Sequence, residues 1–336
     1  MKNIVQMKCT AIIVVTLIIS LLSFGCGKQK EQTQTGAEPT AKQYDVIRVA
    51  TPTDVVQTID YYVGDELGFF AQEGIKIEFV GVVPAPQLVA AVVAGKIDVG
   101  GAHVGRTIAG ISAGAKIKAV SAHLETRPDN PHMVYVTKAD SPIKTAQDLI
   151  GKKIGISNQG GCHEYTPYAY LEKHGITDPK SKVQFTLLPQ TSMEQALRQG
   201  DIDVAGFHRN PDQIGTAGEF RVLFSDYDVW GDIGGGAPAY FSEKFIKEKP
   251  DVVRRFVTAM AKIHNWANAN PQKAADITAK RANVAQGTVR PVYYAPDAII
   301  KEETVTMWID LLQRFGEIKD YIRPDQIYTN EFNPHK

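Results

Sequence analysis

Gly95-Lys-Ile-Asp98-Val99-Gly100 returns about a hundred residues later as Gly200-Asp-Ile-Asp203-Val204-Ala205. Each copy closes a stretch of helical periodicity: Leu88, Val89, Val92 and Val93 before the first, Met193, Ala196 and Leu197 before the second. Glycine suits a left-handed helix stop, and the Ile-x-Val that follows starts a strand. Two copies so far apart, each inside its own α/β run, predict one α/β unit used twice. Two such lobes enclose a cleft, the usual place for a small ligand. Asp98 and Asp203 are expected to bond nearby backbone at a strand edge.

Around the first copy, strand signals at 46–50, 75–80, 117–122 and 133–136 alternate with a helical pattern from Ile59 to Phe70. Around the second, strands are expected at 153–157, 183–187 and 220–224, with a helix from Cys162 to His174. After Gly234 the chain reads as largely helical, with Pro250 at a helix start and further runs around 272–283 and 297–315. The expected architecture is α/β and two-lobed, each lobe an open, mostly parallel sheet flanked by helices. Lobe 1 would comprise 44–138 plus 235–336 and lobe 2 residues 139–234, with two crossovers near 138 and 235.

Residues 1–25 read as an export signal: Lys2 and Lys8, then the apolar run Ala11 to Leu22, then Gly25 before Cys26. The run is shorter than the ~20 residues of a spanning helix. Cys26 stands where a bacterial lipoprotein is cut and lipidated, although Ser23 and Phe24 depart from the usual pattern. Residues 26–43 are polar and read as a tether. Without residues 1–25, which hold two lysines and no acid, 35 basic residues face 37 acidic ones. That balance argues against nucleic acid as a partner. Beyond Cys26 only Cys162 remains, so the body relies on its core rather than on disulfides.

Leu67-Gly-Phe-Phe-Ala-Gln-Glu-Gly-Ile-Lys-Ile-Glu78 resembles a segment of bacterial solute-binding proteins that serve importers of nitrate, taurine and aliphatic sulfonates, and of thiamine pyrimidine precursors. Ala94 to Val99, Asp148 to Gly155, Gly200 to Val204 and Lys249 to Phe256 fall in the order that family has, so the resemblance covers roughly 45–332. Asn270-Pro271 and Tyr328-Thr-Asn-Glu-Phe332 resemble the pyrimidine branch. The resemblance implies a type II periplasmic-binding-protein fold: a hinge-closing monomeric receptor, outside the cytoplasmic membrane, delivering a small ligand to an ABC permease with its cytoplasmic ATPase. Some relatives in the pyrimidine branch are enzymes with a Cys-rich run. This chain has Gly234-Gly-Gly-Ala-Pro-Ala-Tyr240 there, which undercuts that chemistry; no enzyme activity and no cofactor are expected.

In open α/β sheets ligands sit beyond the carboxyl ends of the strands. That rule selects Thr53, Asp54, Pro84 and His103 in the first unit. In the second it selects Asn158, Gly160, Gly161, Cys162, His163, His208, Arg209, Trp230 and Asp232. The Gly-rich turn 158–161 before a helix can aim backbone N–H groups at an anionic oxygen. It lacks both nucleotide-binding glycine patterns. His103 and His208 are expected to hydrogen-bond a ligand or close the wall, and Trp230, with Asp232 beside it, to form a lid or stacking platform. His103, Cys162, His163 and His208 also form a candidate metal set, although no local spacing rule joins them. Cys162 and His163, adjacent at a helix start, diverge by roughly 100° and are poorly placed as nucleophile and base. The leading expectation is a tethered receptor for a sulfonate, nitrate or pyrimidine-like solute. Metal-complex binding, an enzyme, and a sensor or adhesin are the alternatives.

Overall fold

A computed structural model describes residues 43–52, 55–101, 103–208 and 211–336. The expected signal, Cys26 and tether lie outside the described residues, as do Thr53, Asp54 and Arg209. No helix among the described residues is long and apolar enough to cross a membrane.

Among the described residues, ten strands form two sheets. They are β1 Asp45–Val49, β2 Ile75–Phe79, β3 Val99–Gly101, β4 Ile117–Ser121, β5 Val134–Lys138, β6 Lys153–Ile156, β7 Gln184–Leu187, β8 Val204–Phe207, β9 Phe220–Ser225 and β10 Ala239–Ser242. The first sheet has the order β2-β1-β3-β10-β4 and the second β7-β6-β8-β5-β9. In each, four strands run one way. A single antiparallel strand, β10 or β5, sits fourth in the order. The two sheets are therefore the same pattern, as the repeated phrase implied.

The repeat itself does the same job twice. Gly95 (φ 67°) and Gly200 (φ 80°) end their helices in the left-handed region. Asp98 accepts from the Arg48 N–H at 2.8 Å and its own N–H donates to the Arg48 carbonyl at 2.8 Å. Asp203 does likewise with Lys153, again at 2.8 Å in each direction. Each aspartate thus adds a rung to the parallel ladder just before its own following strand, β3 or β8, begins.

Two features differ from the expectation. Residues 133–138, assigned to the first unit, supply β5 of the second sheet, so the first passage between sheets lies between β4 and β5. The Val-Tyr-Val-Thr run is buried on both faces, and such a strand suits the middle of either sheet. The region after Gly234 is not wholly helical either. Four residues, Ala239–Ser242, form β10, which is too short to stand out by alternation. Each inserted strand is the first one after the chain passes between sheets. The two passages run side by side: Glu125 bridges Gly235, and the Gly236 N–H donates to the Leu124 carbonyl at 3.0 Å. Gly235 (φ 78°) admits this approach, since a Cβ there would stand 3.2 Å from Glu125 backbone.

Helix Pro250–Ala269 covers the first sheet, with Phe256, Met260 and Ile263 buried against Ile47, Val49 and Phe241. Helix Gln190–Gln199 covers one face of the second through Met193 and Leu197. The largest core crosses between sheets. Val104, Ile108, Trp308 and Leu311 join Ile154, Ile156, Tyr165 and Tyr168 in one buried cluster. At ~1.5–3 kcal/mol per buried large side chain, that seam carries much of the cohesion between the halves.

Candidate functional site

The seam is where the carboxyl ends of β3, β6 and β8 converge. From the first sheet comes helix Val104–Ser112, entered by His103. From the second come the 157–161 turn, helix Cys162–Lys173 and His208, which directly follows β8. A Cβ added to Gly161 would lie 3.2 Å from His103 Cγ, so the walls touch there.

His103 caps its helix: the Gly105 N–H donates to Nδ1 at 3.2 Å. An accepting Nδ1 in a neutral ring leaves the proton on Nε2. That buried Nε2–H has no protein partner among the described residues. His103 is therefore a hydrogen-bond donor in the seam and a poor metal ligand, which removes it from the candidate metal set. Burial holds its pKa well below the ordinary range, helped by the nearby Arg106 and His208.

Arg106, one turn into the same helix, reaches across. Its Nη2 donates to Asn158 Oδ1 at 2.9 Å and its Nε to the Gln159 carbonyl at 3.1 Å. Among the described residues no carboxylate forms an ion pair with it. Burial lowers its pKa, against the opposing pull of Cys162, Tyr240 and Glu164, yet a guanidinium stays charged at neutral pH. The site thus holds a half-buried cation whose protein partners are neutral oxygens.

The Gly-rich turn departs from its expected role. The Gly160 N–H donates to Glu164 Oε2 at 2.8 Å, so that donor is taken by the helix's own carboxylate. The turn serves instead as the receiving surface for Arg106.

Cys162 lies 3.3 Å (Sγ to Nε2) from His208 and 3.8 Å from His132 Nε2. His163, its neighbour in sequence, turns away, with Nε2 2.9 Å from Ser157 Oγ. Burial pushes the Cys162 thiol up to about 12, with the Asp226 carboxylate adding to the effect. Burial also drives His208 down to about 3, and holds His132 and His163 well below the usual imidazole range. At neutral pH these are a thiol and neutral imidazoles, not an activated thiolate pair.

The strand-end rule did not select His132. It lies on the first passage between sheets, just before β5. Because β5 runs against its neighbours, its beginning shares an edge with the ends of β6 and β8. Asp226 fixes this region, accepting from the Met133 N–H and from Thr126 Oγ1, each at 3.0 Å. Burial raises the Asp226 carboxyl to about 6. Arg290, fully buried, donates to the His132 carbonyl at 3.2 Å.

The remaining candidates separate. Trp230 packs on Trp308 with ring centroids 5.3 Å apart. It also borders an open groove of about 720 Å³ with Glu302, Met307 and Arg314. Asp232 is exposed beside it. Pro84 stands exposed before the helix at Leu88–Val93, and the structure does not bring it together with the histidines. A second buried polar group also escaped the sequence reading. Asp60 pairs with His123 at 2.8 Å beneath the first sheet's edge, with His264 alongside.

The riboflavin-binding protein RibY of Chloroflexus aurantiacus is 28% identical over 247 residues, covering 72% of this chain and 67% of that protein. The fold is similar to the periplasmic aliphatic sulphonate binding protein SsuA from Escherichia coli, with a TM-score of 0.68 and 18% identity. That match covers 86% of this chain and 99% of that one. It is also similar to the periplasmic nitrate-binding protein NrtA from Synechocystis PCC 6803, with a TM-score of 0.67, 12% identity, and 86% and 87% of the two chains covered. The family model described as NMT1/THI5 like matches residues 56–274, and the chain belongs to that family.

Proposed function

We propose that the chain is the extracytoplasmic solute receptor of an ABC importer, and that it closes on a small solute with anionic oxygens. The observation that carries this reading is Arg106. A guanidinium at the seam, served only by neutral oxygens, gains a charge-assisted bond when a sulfonate, nitrate or carboxylate arrives. His103 Nε2–H supplies a second donor on the same wall. The two side-by-side passages near 122–133 and 226–238 provide the hinge, and a ligand that touches both walls favours the closed form. The lobes divide at these passages. SsuA and NrtA are named for sulphonate and nitrate, which supports an oxyanion; RibY keeps a planar heterocycle in the test.

The test is calorimetry of the full chain with methanesulfonate, taurine, nitrate, an aminopyrimidine and riboflavin. An oxyanion should bind, and Arg106→Ala should weaken it ~10- to 100-fold, the worth of a bond to a charged group. Equal binding by Arg106→Ala, or binding of the neutral heterocycles alone, would overturn the assignment. The same reading has Cys26 lipidated and the body held at the outer face of the cytoplasmic membrane.

A further inference from the structure

We infer that His132, Cys162 and His208 form a three-ligand site for a thiophilic metal ion of the zinc(II) class. The inference does not depend on the importer reading, because it concerns an ion and not the transported solute.

Three potential ligand atoms, one from each residue, lie within 4.8 Å of one another. The two sulfur–nitrogen distances are 3.3 and 3.8 Å. A tetrahedral zinc with Zn–S of ~2.3 Å and Zn–N of ~2.0 Å sets sulfur and nitrogen about 3.5 Å apart, between those values. The rings of His132 and His208 stand 4.7 Å apart, tilted by 39°, so both present an edge to the same sulfur. No large movement is needed for the three to share one ion.

The hydrogen bonding is otherwise unsatisfactory. His132 is 5% exposed, its Nδ1 has no protein partner, and its Nε2 faces only the sulfur at 3.8 Å. A thiol carries one hydrogen and can donate to only one of its two imidazoles. A buried polar ring left so poorly served is costly. A metal at this point uses the lone pairs of both rings and the sulfur at once.

The chemistry of the donor set also fits. Both imidazoles are neutral, as ligands must be, and binding displaces the thiol proton to solvent. The resulting thiolate belongs to the first residue of a helix, where the helix dipole favours negative charge. The thiolate and the nearby Asp226 carboxylate offset the two positive charges of the ion. Three protein ligands leave one coordination position, as in zinc sites that keep a place for water or a small anion. His163 and His103 do not complete the set. One is bound to Ser157, and the other presents N–H rather than a lone pair.

The experiment uses the full chain, reduced and stripped with chelator, titrated with Zn²⁺ against a chromophoric competitor and separately with Co²⁺. The expected result is one Zn²⁺ per chain, a sulfur-to-cobalt charge-transfer band, and a zinc absorption-edge spectrum with one sulfur and two imidazole nitrogens. Cys162→Ser should lose the band and weaken Zn²⁺ at least ~10-fold, while Cys26→Ser leaves both unchanged. Failure to bind Zn²⁺ at one equivalent, or a first shell without sulfur, overturns the site. So does a folded Cys162→Ser variant that binds as the parent does. The spectroscopic arm needs no variant, so it tests the site even where a substitution misfolds. Solute calorimetry is a separate readout, and either reading can fail while the other stands.

Discussion

The duplicated aspartates allow a paired perturbation with outcomes of different size at equivalent positions. Asp203 offers one acceptor to the Lys153 N–H at 2.8 Å and makes no ion pair among the described residues. Asp203→Ala removes that rung and leaves the strand-start amide unserved, at about 1–2 kcal/mol. Asp203→Asn retains a carbonyl oxygen in the same place and should cost less than about 0.5 kcal/mol. Asp98 does more. Besides the Arg48 N–H it takes Arg48 Nε at 3.0 Å and Nη2 at 2.6 Å. Asn cannot accept the fork at both oxygens. The Arg48 side chain is 39% exposed, so the ion pair is discounted to about 1 kcal/mol. Asp98→Asn should therefore cost about 1 kcal/mol, and Asp98→Ala about 2–3 kcal/mol. Urea midpoints of the four variants, with unchanged slopes, measure this. If both Asn variants fall equally, the Arg48 fork adds nothing at Asp98; if the two Ala variants keep the parent midpoint, the aspartates are not needed as acceptors for backbone amides and the account of the repeat is wrong.

Stability should fall on acidification. His103, His132, His163, His208 and His264 all have pKa values held below 6.5 by burial. The unfolded chain thus binds more protons as pH drops through ~6.5, at up to ~1.4 kcal/mol per group per pH unit. Asp226, raised to about 6, acts oppositely: its contribution is full below ~4 and lost as pH rises through 6. One carboxyl does not offset five imidazoles. The urea midpoint should drop from pH 7.5 to 5, and His208→Gln should flatten that drop; a level midpoint refutes it. Gly161→Ala keeps an ordinary extended backbone but sets a Cβ 3.2 Å from His103. It should weaken solute binding while moving the urea midpoint by less than ~1 kcal/mol, whereas Gly155→Ala, 2.5 Å from Ile202 inside the second sheet, should cost ~1–3 kcal/mol. If Gly161→Ala binds unchanged, the walls do not need that contact. Cys26→Ala should release the protein from membranes into the soluble fraction, and full retention there would remove the lipid anchor.

The fold was legible where a local signal repeats. The Gly-x-Ile-Asp-Val copies marked equivalent strands, and Pro250 and Cys162 marked helix starts within a residue. Sheet membership was not. The run at 134–138 carries the same apolar signature in either sheet, and its hydrogen-bond partners Val222 and Ala205 lie about 70–90 residues away. The site was half legible for a related reason. A rule built on parallel strands finds residues at strand ends, and it found His103, Cys162 and His208. It misses a residue that reaches the same edge from the start of an antiparallel strand, as His132 does. Arg106 was missed because an arginine one turn into a helix has no sequence signature separating a cross-seam contact from a solvated face.

The inserted strands explain why the proposed hinge and the candidate site lie together. A chain that leaves one sheet and joins the other as an antiparallel strand must enter at the edge where parallel neighbours end. That edge is also where ligands bind in such sheets. The passage residues Thr126, His132 and Asp226 are thereby wired to Met133 and, through Cys162, to the helix that follows the turn receiving Arg106. On the proposed hinge, rotation of the halves about residues 122–133 would part Arg106 from Asn158 and open the apolar seam of Trp308, Tyr165 and Val104 with it, so that solute binding and closure would be one equilibrium.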